Sequence, residues 1–350
     1  KEQQALLKPL NREVDFLDTK RARPTQLTSV KTDYALMVFS TEAASLDRLE
    51  FEHKQEHGEF PITTIFPVSE YEREKRAFLV ALNEKTPYFY ELINRADSND
   101  ATQLTYQAAT ADATITKTFT IYKHLYKIDL DLNGEPKRGD VQARIFIPAP
   151  LMPDIAVTDI KSAVINDERG NIIKIANNKV QPDSGWFEPT LVGIDNRYFV
   201  HAMVEDQGHF AQRAYFGHLL QPDITTILEG PSLNEARSWK LSFYFGPKEE
   251  QAMTAVDPRL TQTLEYSGWL APISRVMLKI LIFFYNYLKN YGLAIIALTV
   301  AIKLLLLPFT LRGARSMKKA TEMQRKLQYL QQKYKNDPEV LNRERALLIR

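Results

Sequence analysis

The chain has 350 residues, of which 44% are hydrophobic and 25% are charged, with a formal net charge of +2 and no cysteine. This composition can bury a sizeable core, which excludes wholesale disorder, and the length favours two domains over one. The near-neutral charge argues against a dedicated nucleic-acid-binding protein. The lack of cysteine excludes disulfide frameworks, thiolate metal sites and cysteine nucleophiles.

The N-terminal three quarters of the chain carry the pattern of β-strands. Residues 1–25, rich in Lys, Arg, Gln and Pro, are predicted to be a tether. Beyond them, apolar and polar residues alternate with a period of two, and Asn133-Gly134 is a turn signal. Because no helical periods intervene, residues 26–265 are predicted to form a mainly β domain, a large antiparallel sandwich or barrel. The strands are predicted at residues 34–40, 114–121, 126–132, 141–147, 171–176, 198–204 and 239–245.

This β domain lacks a motif for catalysis. His201, His209 and His218 have no compact zinc spacing, so surface or hydrogen-bonded histidines are the favoured interpretation. His53 and His57 lie four residues apart and could hold a metal on a helix, but a solvated polar turn is favoured. There is no Gly-rich phosphate loop and no nucleophile elbow. The sequence therefore predicts neither an enzyme nor a cofactor.

A thirteen-residue apolar run at residues 276–288 is too short to span a bilayer. Lys279 and Asn286 lie seven residues apart and share one helix face, with Tyr and Phe around them. We therefore predict an amphipathic helix over residues 266–290 that lies at the outer membrane surface. A buried helix of the preceding domain is the alternative.

The next segment, residues 292–311, is almost uniformly apolar. Twenty residues at about 1.5 Å each reach about 30 Å, the thickness of a bilayer's hydrocarbon core, so a transmembrane helix is predicted at 291–311. The alternative is a buried helix of a soluble protein. Six Lys or Arg follow the span closely and three precede it, so the positive-inside rule places the C-terminal tail in the cytoplasm and the β domain on the opposite side.

Lys303 lies in the middle of this span. A charge at that depth costs about 2.5–3.5 kcal/mol, so it indicates a function by default. Thr299 and Thr310 lie four residues before and seven after it, on the same helix face. The three residues are predicted to face a bundle interior or a water-filled cavity, and Pro308 is expected to bend the helix just past the lysine. The alternative is that Lys303 snorkels to one interface.

The tail, residues 312–350, carries eleven Lys or Arg against four Asp or Glu. Asp337 and Pro338 are typical of the start of a second helix, so a basic coiled-coil hairpin is predicted under the membrane. Its positive face suits anionic lipid headgroups or ribosomal RNA, or is merely solvated. The seam of the first helix has coiled-coil spacing and comprises Ala320, Met323, Leu327, Leu330 and Tyr334.

Six segments between residues 240 and 335 carry a family signature: Tyr244–Lys248, Thr263–Leu270, Asn290–Ile296, Thr299–Lys303, Leu307–Thr310 and Ser316–Met317. They resemble the YidC-type membrane protein insertases of bacteria, the YidC/Oxa/Alb family. The resemblance implies that the β domain is a periplasmic β-supersandwich and that the chain lies in the bacterial inner membrane. It also implies that the polar helix face lines a groove for nascent membrane protein clients. The ribosome, a targeting receptor, the Sec translocon and membrane lipids are the further candidate partners, and DNA is not one.

In this family, Lys303 would attract acidic residues of the client's extracytoplasmic end, and Thr299 and Thr310 would bind its backbone. The family in Gram-negative bacteria typically has arginine at this position, and lysine keeps the charge but lacks the planar five-donor fork. The family core has five membrane helices, so an anchor before this chain and four helices after it are expected. The alternative function is a membrane-anchored carbohydrate-binding or mutarotase-like protein, with Trp186 and Trp239 as ring anchors, and a plain membrane scaffold is a third.

Overall fold

The structure is a computed structural model, and it describes residues 10, 12, 14–17, 24–52, 62–65, 76–83, 85–138, 141–151, 161–167, 169–181, 184–220, 223–264, 271–333, 342–343 and 346. The chain forms two units, Lys1–Glu265 and Tyr266–Arg350, and each is described by itself.

Strands are the main regular structure in the described part of the first unit. They are β1 (Asp15–Leu17), β2 (Leu27–Lys31), β3 (Ala35–Ser40), β4 (Ser45–Phe51), β5 (Ile62–Ile65), β6 (Leu79–Leu82), β7 (Lys85–Pro87), β8 (Glu91–Asp97), β9 (Ala101–Ala109), β10 (Ala113–Tyr122), β11 (Lys127–Pro136), β12 (Val141–Pro148), β13 (Ser162–Asn166), β14 (Ile172–Ala176), β15 (Gly185–Phe187), β16 (Val192–Asp195), β17 (Phe199–Asp206), β18 (Arg213–Leu220), β19 (Asp223–Leu233) and β20 (Arg237–Pro247). Short 3-10 turns at Asn177–Lys179 and Pro258–Thr263 and the helix α1 (Glu250–Val256) complete this unit.

These strands form three sheets. The largest has nine antiparallel strands in the order β14-β13-β16-β17-β20-β11-β10-β9-β8. A seven-stranded sheet has the order β1-β7-β6-β12-β19-β18-β15, and a four-stranded sheet has the order β2-β3-β4-β5. Rings from different sheets meet in one large core, where Phe39 of β3 contacts Phe119 of β10 at a centroid distance of 4.9 Å. The predicted mainly β domain followed by helices is therefore confirmed.

The period-two segments of the sequence match strands of the nine-stranded sheet closely. In β10 every second residue is buried, because the apolar residues face the core while the threonines between them face outward. The prediction of a turn at Asn133-Gly134 is wrong. Both residues lie inside β11, where Asn133 pairs with Thr116 and Gly134 with Ile115. Gly134 lies against the Leu233 side chain, and a Cβ there would come to 3.0 Å from a terminal methyl group of Leu233, which would have to shift slightly.

Part of the predicted tether belongs to the folded unit. Residues 15–17 form β1, which pairs in parallel with β7. Leu10, Val14 and Phe16 pack against a small buried cluster that includes Phe146. The tether prediction is therefore corrected at these positions, because three apolar side chains spaced along the segment provide enough surface to dock it.

One lysine lies on the buried face of β10. Lys117 has no exposed surface, and its ammonium donates hydrogen bonds to the carbonyl oxygens of Ala43 at 2.7 Å, Ala44 at 3.2 Å and Phe78 at 2.7 Å. The ammonium also lies over the Tyr90 ring, 4.8 Å from its centroid. These three carbonyls use the three donors of the ammonium group, as a buried charge requires.

The second unit contains α2 (Ala271–Leu288) and α3 (Tyr291–Lys333). Two residues connect the helices: Lys289 has a positive φ of 51°, and the Asn290 side chain accepts a hydrogen bond from the Leu293 amide at 3.1 Å. The Asn290 side chain therefore acts as the N-cap of α3. Across this connection the rings of Tyr285 and Tyr291 stack with centroids 3.9 Å apart.

Candidate functional site

The N-terminal half of α3 is an apolar helix whose side chains are almost all exposed. Within Tyr291–Leu311 the mean hydropathy reaches 2.3, and the length and composition of this segment suit a membrane crossing. Leu304 and Leu305 are 64% and 72% exposed. Such a surface is costly in water, so this helix requires lipid or other protein around it.

Lys303, Thr299 and Thr310 all lie on this helix, and all three are exposed. At 3.6 residues per turn they share one face, with Thr299 about 6 Å below Lys303 along the axis and Thr310 about 10 Å above it. The Thr299 hydroxyl donates to the Ile295 carbonyl at 2.8 Å, and the Thr310 hydroxyl to the Leu306 carbonyl at 3.0 Å. Each hydroxyl proton is therefore engaged within the helix, and its lone pairs remain able to accept a hydrogen bond.

The ammonium of Lys303 has no carboxylate partner among the residues that the structure describes. The sequence from Tyr291 to Leu311 contains no acidic residue that could neutralise it on the same helix. Apart from the two threonines, the helix face around Lys303 is formed by aliphatic residues: Ile296, Val300, Leu306 and Leu307. A lone cation in this position offers a strong attraction to any anion that enters the apolar layer, because electrostatic interactions strengthen as the local dielectric falls.

The helix continues without interruption beyond Pro308 into the basic segment, and it is described as far as Lys333. On the predicted seam, Ala320 and Met323 are exposed, and Leu327 and Leu330 are partly buried. The predicted start of the second helix at Asp337 and Pro338 lies outside the described residues, as does Tyr334. The hairpin therefore stays a prediction.

The two candidate histidines whose side chains the structure describes lie in different surroundings. His201 is fully buried in β17, where its ring stacks on Phe245, while His209 is exposed. The side chain of His218 and all of His53 and His57 lie outside the described residues. Over the described ranges, no group of three or more His, Asp or Glu side chains could hold a metal ion.

His201 is a buried base with two polar neighbours. Its Nδ1 lies 3.1 Å from the Pro148 carbonyl oxygen and its Nε2 lies 3.3 Å from the Thr64 hydroxyl. Burial lowers the pKa of His201 to about 3. The imidazole is therefore neutral in the folded protein at physiological pH, and it has a structural role.

We expect His201 to make the β domain sensitive to acid. Because its pKa is lower in the folded than in the unfolded chain, the unfolded chain binds the extra proton below pH about 6.5, and stability falls as the pH is lowered towards 3. At pH 5 the loss should be about 2 kcal/mol. Chemical unfolding of wild type and His201→Gln at pH 7 and pH 5 measures it. Equal pH dependence in both proteins would contradict this assignment.

The two tryptophans proposed as sugar anchors lie apart in different packing contacts. Trp239 in β20 is 3% exposed and packs edge-on against Phe210, with ring centroids 5.3 Å apart. Trp186 in β15 packs edge-on against Phe216 at 5.4 Å. The two tryptophans belong to different sheets, so within the described residues they form no paired stacking site for a sugar ring.

Two family models together match nearly the whole chain. The model described as YidC periplasmic domain matches residues 27–280, and the one described as 60Kd inner membrane protein matches residues 283–350. Their boundary falls inside α2, which separates the strand-rich region from the apolar helix. The first match alone covers more than half of the chain.

Curated relatives named membrane protein insertase YidC match the same region. The protein from Syntrophobacter fumaroxidans is 30% identical over 245 residues, covering 66% of this chain and 44% of the relative. The protein from Geobacter metallireducens is 26% identical over 349 residues, covering 92% of this chain and 63% of the relative. The chain thus spans about half to two thirds of the length of these relatives.

Solved structures give a weaker likeness. A crystal structure of an active YidC insertase with its first transmembrane domain resolved is 13% identical, covers 85% of this chain and 59% of that chain, and has a TM-score of 0.33. A putative aldose 1-epimerase from Escherichia coli K12 is 6% identical, covers 64% of this chain and 100% of that chain, and has a TM-score of 0.39. Neither score carries an argument about function.

The family assignment therefore rests on the two family models and the curated relatives. These relatives are named for the insertion of membrane proteins and not for a chemical reaction, in agreement with the sequence prediction that the chain is not an enzyme. One apolar helix long enough to cross a bilayer supports a membrane location. The chain belongs to the YidC family of membrane protein insertases.

Proposed function

We propose that this chain forms part of an insertase and foldase that moves client segments into the bilayer along the Lys303 face of α3. The observation that supports this most directly is an exposed lysine without a carboxylate partner among the described residues, at the centre of a 21-residue apolar helix. Thr299 and Thr310 extend the polar character of that face in both directions. No bond is made or broken in this process.

The barrier to insertion is the transfer of a polar client end through hydrocarbon. An unpaired amide or hydroxyl costs several kcal/mol there, and an unpaired carboxylate costs much more. Lys303 would lower the second cost by attracting a client carboxylate as a point charge. Because both threonine hydroxyl protons are engaged, Thr299 and Thr310 would accept hydrogen bonds from client backbone amides. The leucines and isoleucines beside them would receive the emerging apolar helix.

Snorkelling explains Lys303 less well. The residue lies twelve positions after Tyr291 and eight before Leu311, which is about 18 Å and 12 Å from the two ends of the span. A lysine side chain covers only part of either distance, so its ammonium stays within the apolar layer unless water or protein surrounds it. A hydrophilic groove provides such an environment.

The remaining parts of the proposal follow from the sequence order. Residues 26–265, together with β1, would form a periplasmic β-supersandwich, 266–290 an interfacial helix, 291–311 the membrane helix and 312–350 a cytoplasmic coiled-coil hairpin. In α2, Phe283 is 67% and Tyr287 is 85% exposed, which suits rings at headgroup level. Such an arrangement would suit a bacterial inner membrane. The hairpin would contact clients, the ribosome or a targeting receptor, and the Sec translocon is a further candidate partner.

Photo-crosslinking tests the groove directly. A photoreactive amino acid replaces Thr299 in the full-length protein, and ribosome-bound nascent chains of a small membrane protein are added. We expect strong crosslinks from position 299, because it lies one turn from Lys303 on the same face. Crosslinked products are identified by immunoprecipitation of the client.

The matched control is the same amino acid at Leu304, which is also exposed but lies about 140° around the helix from Thr299. Weak crosslinking from position 304 is expected. Absent or equal crosslinking at the two positions, in a folded protein, would show that this face is not a client groove.

A further inference from the structure

An open cavity of about 380 Å³ lies in the β domain, at the ends of strands from two sheets. Phe51 ends β4 of the four-stranded sheet, while Tyr126, Phe199 and Pro247 lie at the ends of neighbouring strands of the nine-stranded sheet. Its size falls within the range of ligand pockets. We call it the aromatic cavity, and it belongs to no element of the proposed groove.

Stacked rings form the walls of the aromatic cavity. Phe51 stacks on Phe199 with centroids 4.9 Å apart, and Tyr126 stacks on Tyr34 at 4.7 Å. Tyr198 also lines the cavity, and 43% of its surface is exposed. Phe51 and Phe199 are themselves buried, so the open ring of Tyr198 is the aromatic face that can take up another apolar or aromatic group.

The charged groups at the cavity divide into two kinds. Lys248 is held by the buried Asp195 at 2.9 Å, and Glu52 is paired with Lys31 at 2.8 Å. Arg197 and Glu249 differ, because neither has an ion-pair partner among the described residues. The guanidinium of Arg197 lies 5.4 Å from the Tyr198 ring centroid, which places a cation beside the open aromatic face.

These contacts favour a peptide side chain over a sugar ring. A sugar needs several convergent hydrogen-bonding groups, but Lys248 and Glu52 are already engaged within the protein. The surface that remains consists mostly of rings, with one cation and one carboxylate. This combination suits a large apolar side chain, an acidic neighbour for Arg197 and an N–H donor for Glu249.

We propose that the aromatic cavity binds an extended peptide segment that carries an aromatic or large aliphatic side chain next to an acidic residue. The segment is an extracytoplasmic end of a client, so this inference rests on the proposed function in naming the source of the peptide. It adds a second contact point, in the β domain, to the charge-based contact at Lys303. An acidic client end would meet Arg197 in one unit and Lys303 in the other.

Fluorescence anisotropy with the full chain in detergent tests this proposal. The probe is a fluorescein-labelled peptide, Gly-Ser-Asp-Trp-Gly-Ser, compared with versions that carry Ala in place of Trp or Lys in place of Asp. We expect saturable binding of the first peptide and binding about tenfold weaker for each of the other two. Tyr198→Ala should weaken the Trp peptide about tenfold. Arg197→Glu should reverse the preference between the Asp and Lys versions.

Phe187→Ala is the matched control, because Phe187 is a half-exposed aromatic residue of the same unit that does not line the cavity. It should leave binding unchanged. Equal affinity for the Trp and Ala peptides, or equal losses in Tyr198→Ala and Phe187→Ala, would overturn the proposal. Displacement of the peptide by glucose or N-acetylglucosamine would assign a sugar site instead. Because crosslinking at Thr299 is a separate readout, failure of the groove and failure of the cavity are distinguishable.

Discussion

Replacing Lys303 with alanine is expected to reduce the insertion of a client with an acidic extracytoplasmic end about tenfold or more. The reason is that an attraction of about 1.4 kcal/mol is worth a factor of ten, and a charge pair in a medium of low dielectric exceeds that value. The same client with its acidic residues changed to asparagine should lose little. Protease protection of the client in vesicles that contain the full-length protein measures both effects.

Variants that keep or reverse the charge at position 303 test whether the charge itself is responsible. Lys303→Arg keeps the charge and should insert at least as well, since a guanidinium adds bidentate capture of a carboxylate. Lys303→Glu should be worse than alanine, because it repels an acidic client. Leu304→Ala is the control for a change of volume on the same exposed helix. Normal insertion by a folded Lys303→Ala protein would leave α3 as an anchor without a groove.

The strands that the sequence predicts best are those with one buried and one open face. β10 and β11 are examples, because their apolar residues recur at every second position and the pleat places them on one side. β6 has all four residues buried and shows no alternation to detect. The three-residue strands β1, β7 and β15 are too short for any period.

The wrong turn at Asn133-Gly134 shows where local signals fail. Asn-Gly favours a tight hairpin when the flanking strands pair with each other. Here β11 instead continues to Pro136, between β10 on one side and β20 on the other. The glycine leaves room for the Leu233 side chain of another sheet, which lies close to it. Such a long-range contact leaves no trace in the residues around position 134.

Of the two candidate sites, one could be predicted from the sequence and the other could not. Lys303, Thr299 and Thr310 could be found from the sequence because one helix carries all three, and helical spacing alone places them on one face. The aromatic cavity could not be found, because its ring walls come from residues as far apart as Phe51 and Phe199. Only the strand order of the folded domain brings those positions together.

Lys117 on β10 is the clearest case of a residue that the alternation pattern misplaces. It occupies an inward position between Ile115 and Phe119, where the pattern predicts an apolar side chain. The structure accounts for the lysine, because its ammonium donates hydrogen bonds to three backbone carbonyl oxygens of residues with an unusual backbone conformation. Ala43, Ala44 and Phe78 have positive φ angles of 56°, 41° and 66°, a region that costs about 1–2 kcal/mol for residues other than glycine.

Replacing Lys117 with methionine should therefore destabilise the β domain by about 3 kcal/mol or more. Methionine has a similar length but no donor, so three buried carbonyl oxygens would lose their ammonium partner, each at a cost of about 1 kcal/mol or more. Chemical unfolding of the full chain, followed by tryptophan fluorescence, measures the change. Lys240→Met on the outward face of β20 is the matched control and should shift stability by no more than about 0.5 kcal/mol.

The pH dependence of stability separates the charge of Lys117 from its shape. Burial lowers the pKa of Lys117, while the three carbonyl oxygens and the Tyr90 ring oppose that shift because they favour the ammonium. Between the lowered pKa and about 10.4, the unfolded chain binds more protons than the folded chain, so stability rises with pH. Wild type should therefore gain more stability than Lys117→Met between pH 7 and pH 9.5. An equal gain in both proteins would mean that the carbonyl oxygens and the ring offset the whole cost of burying the charge.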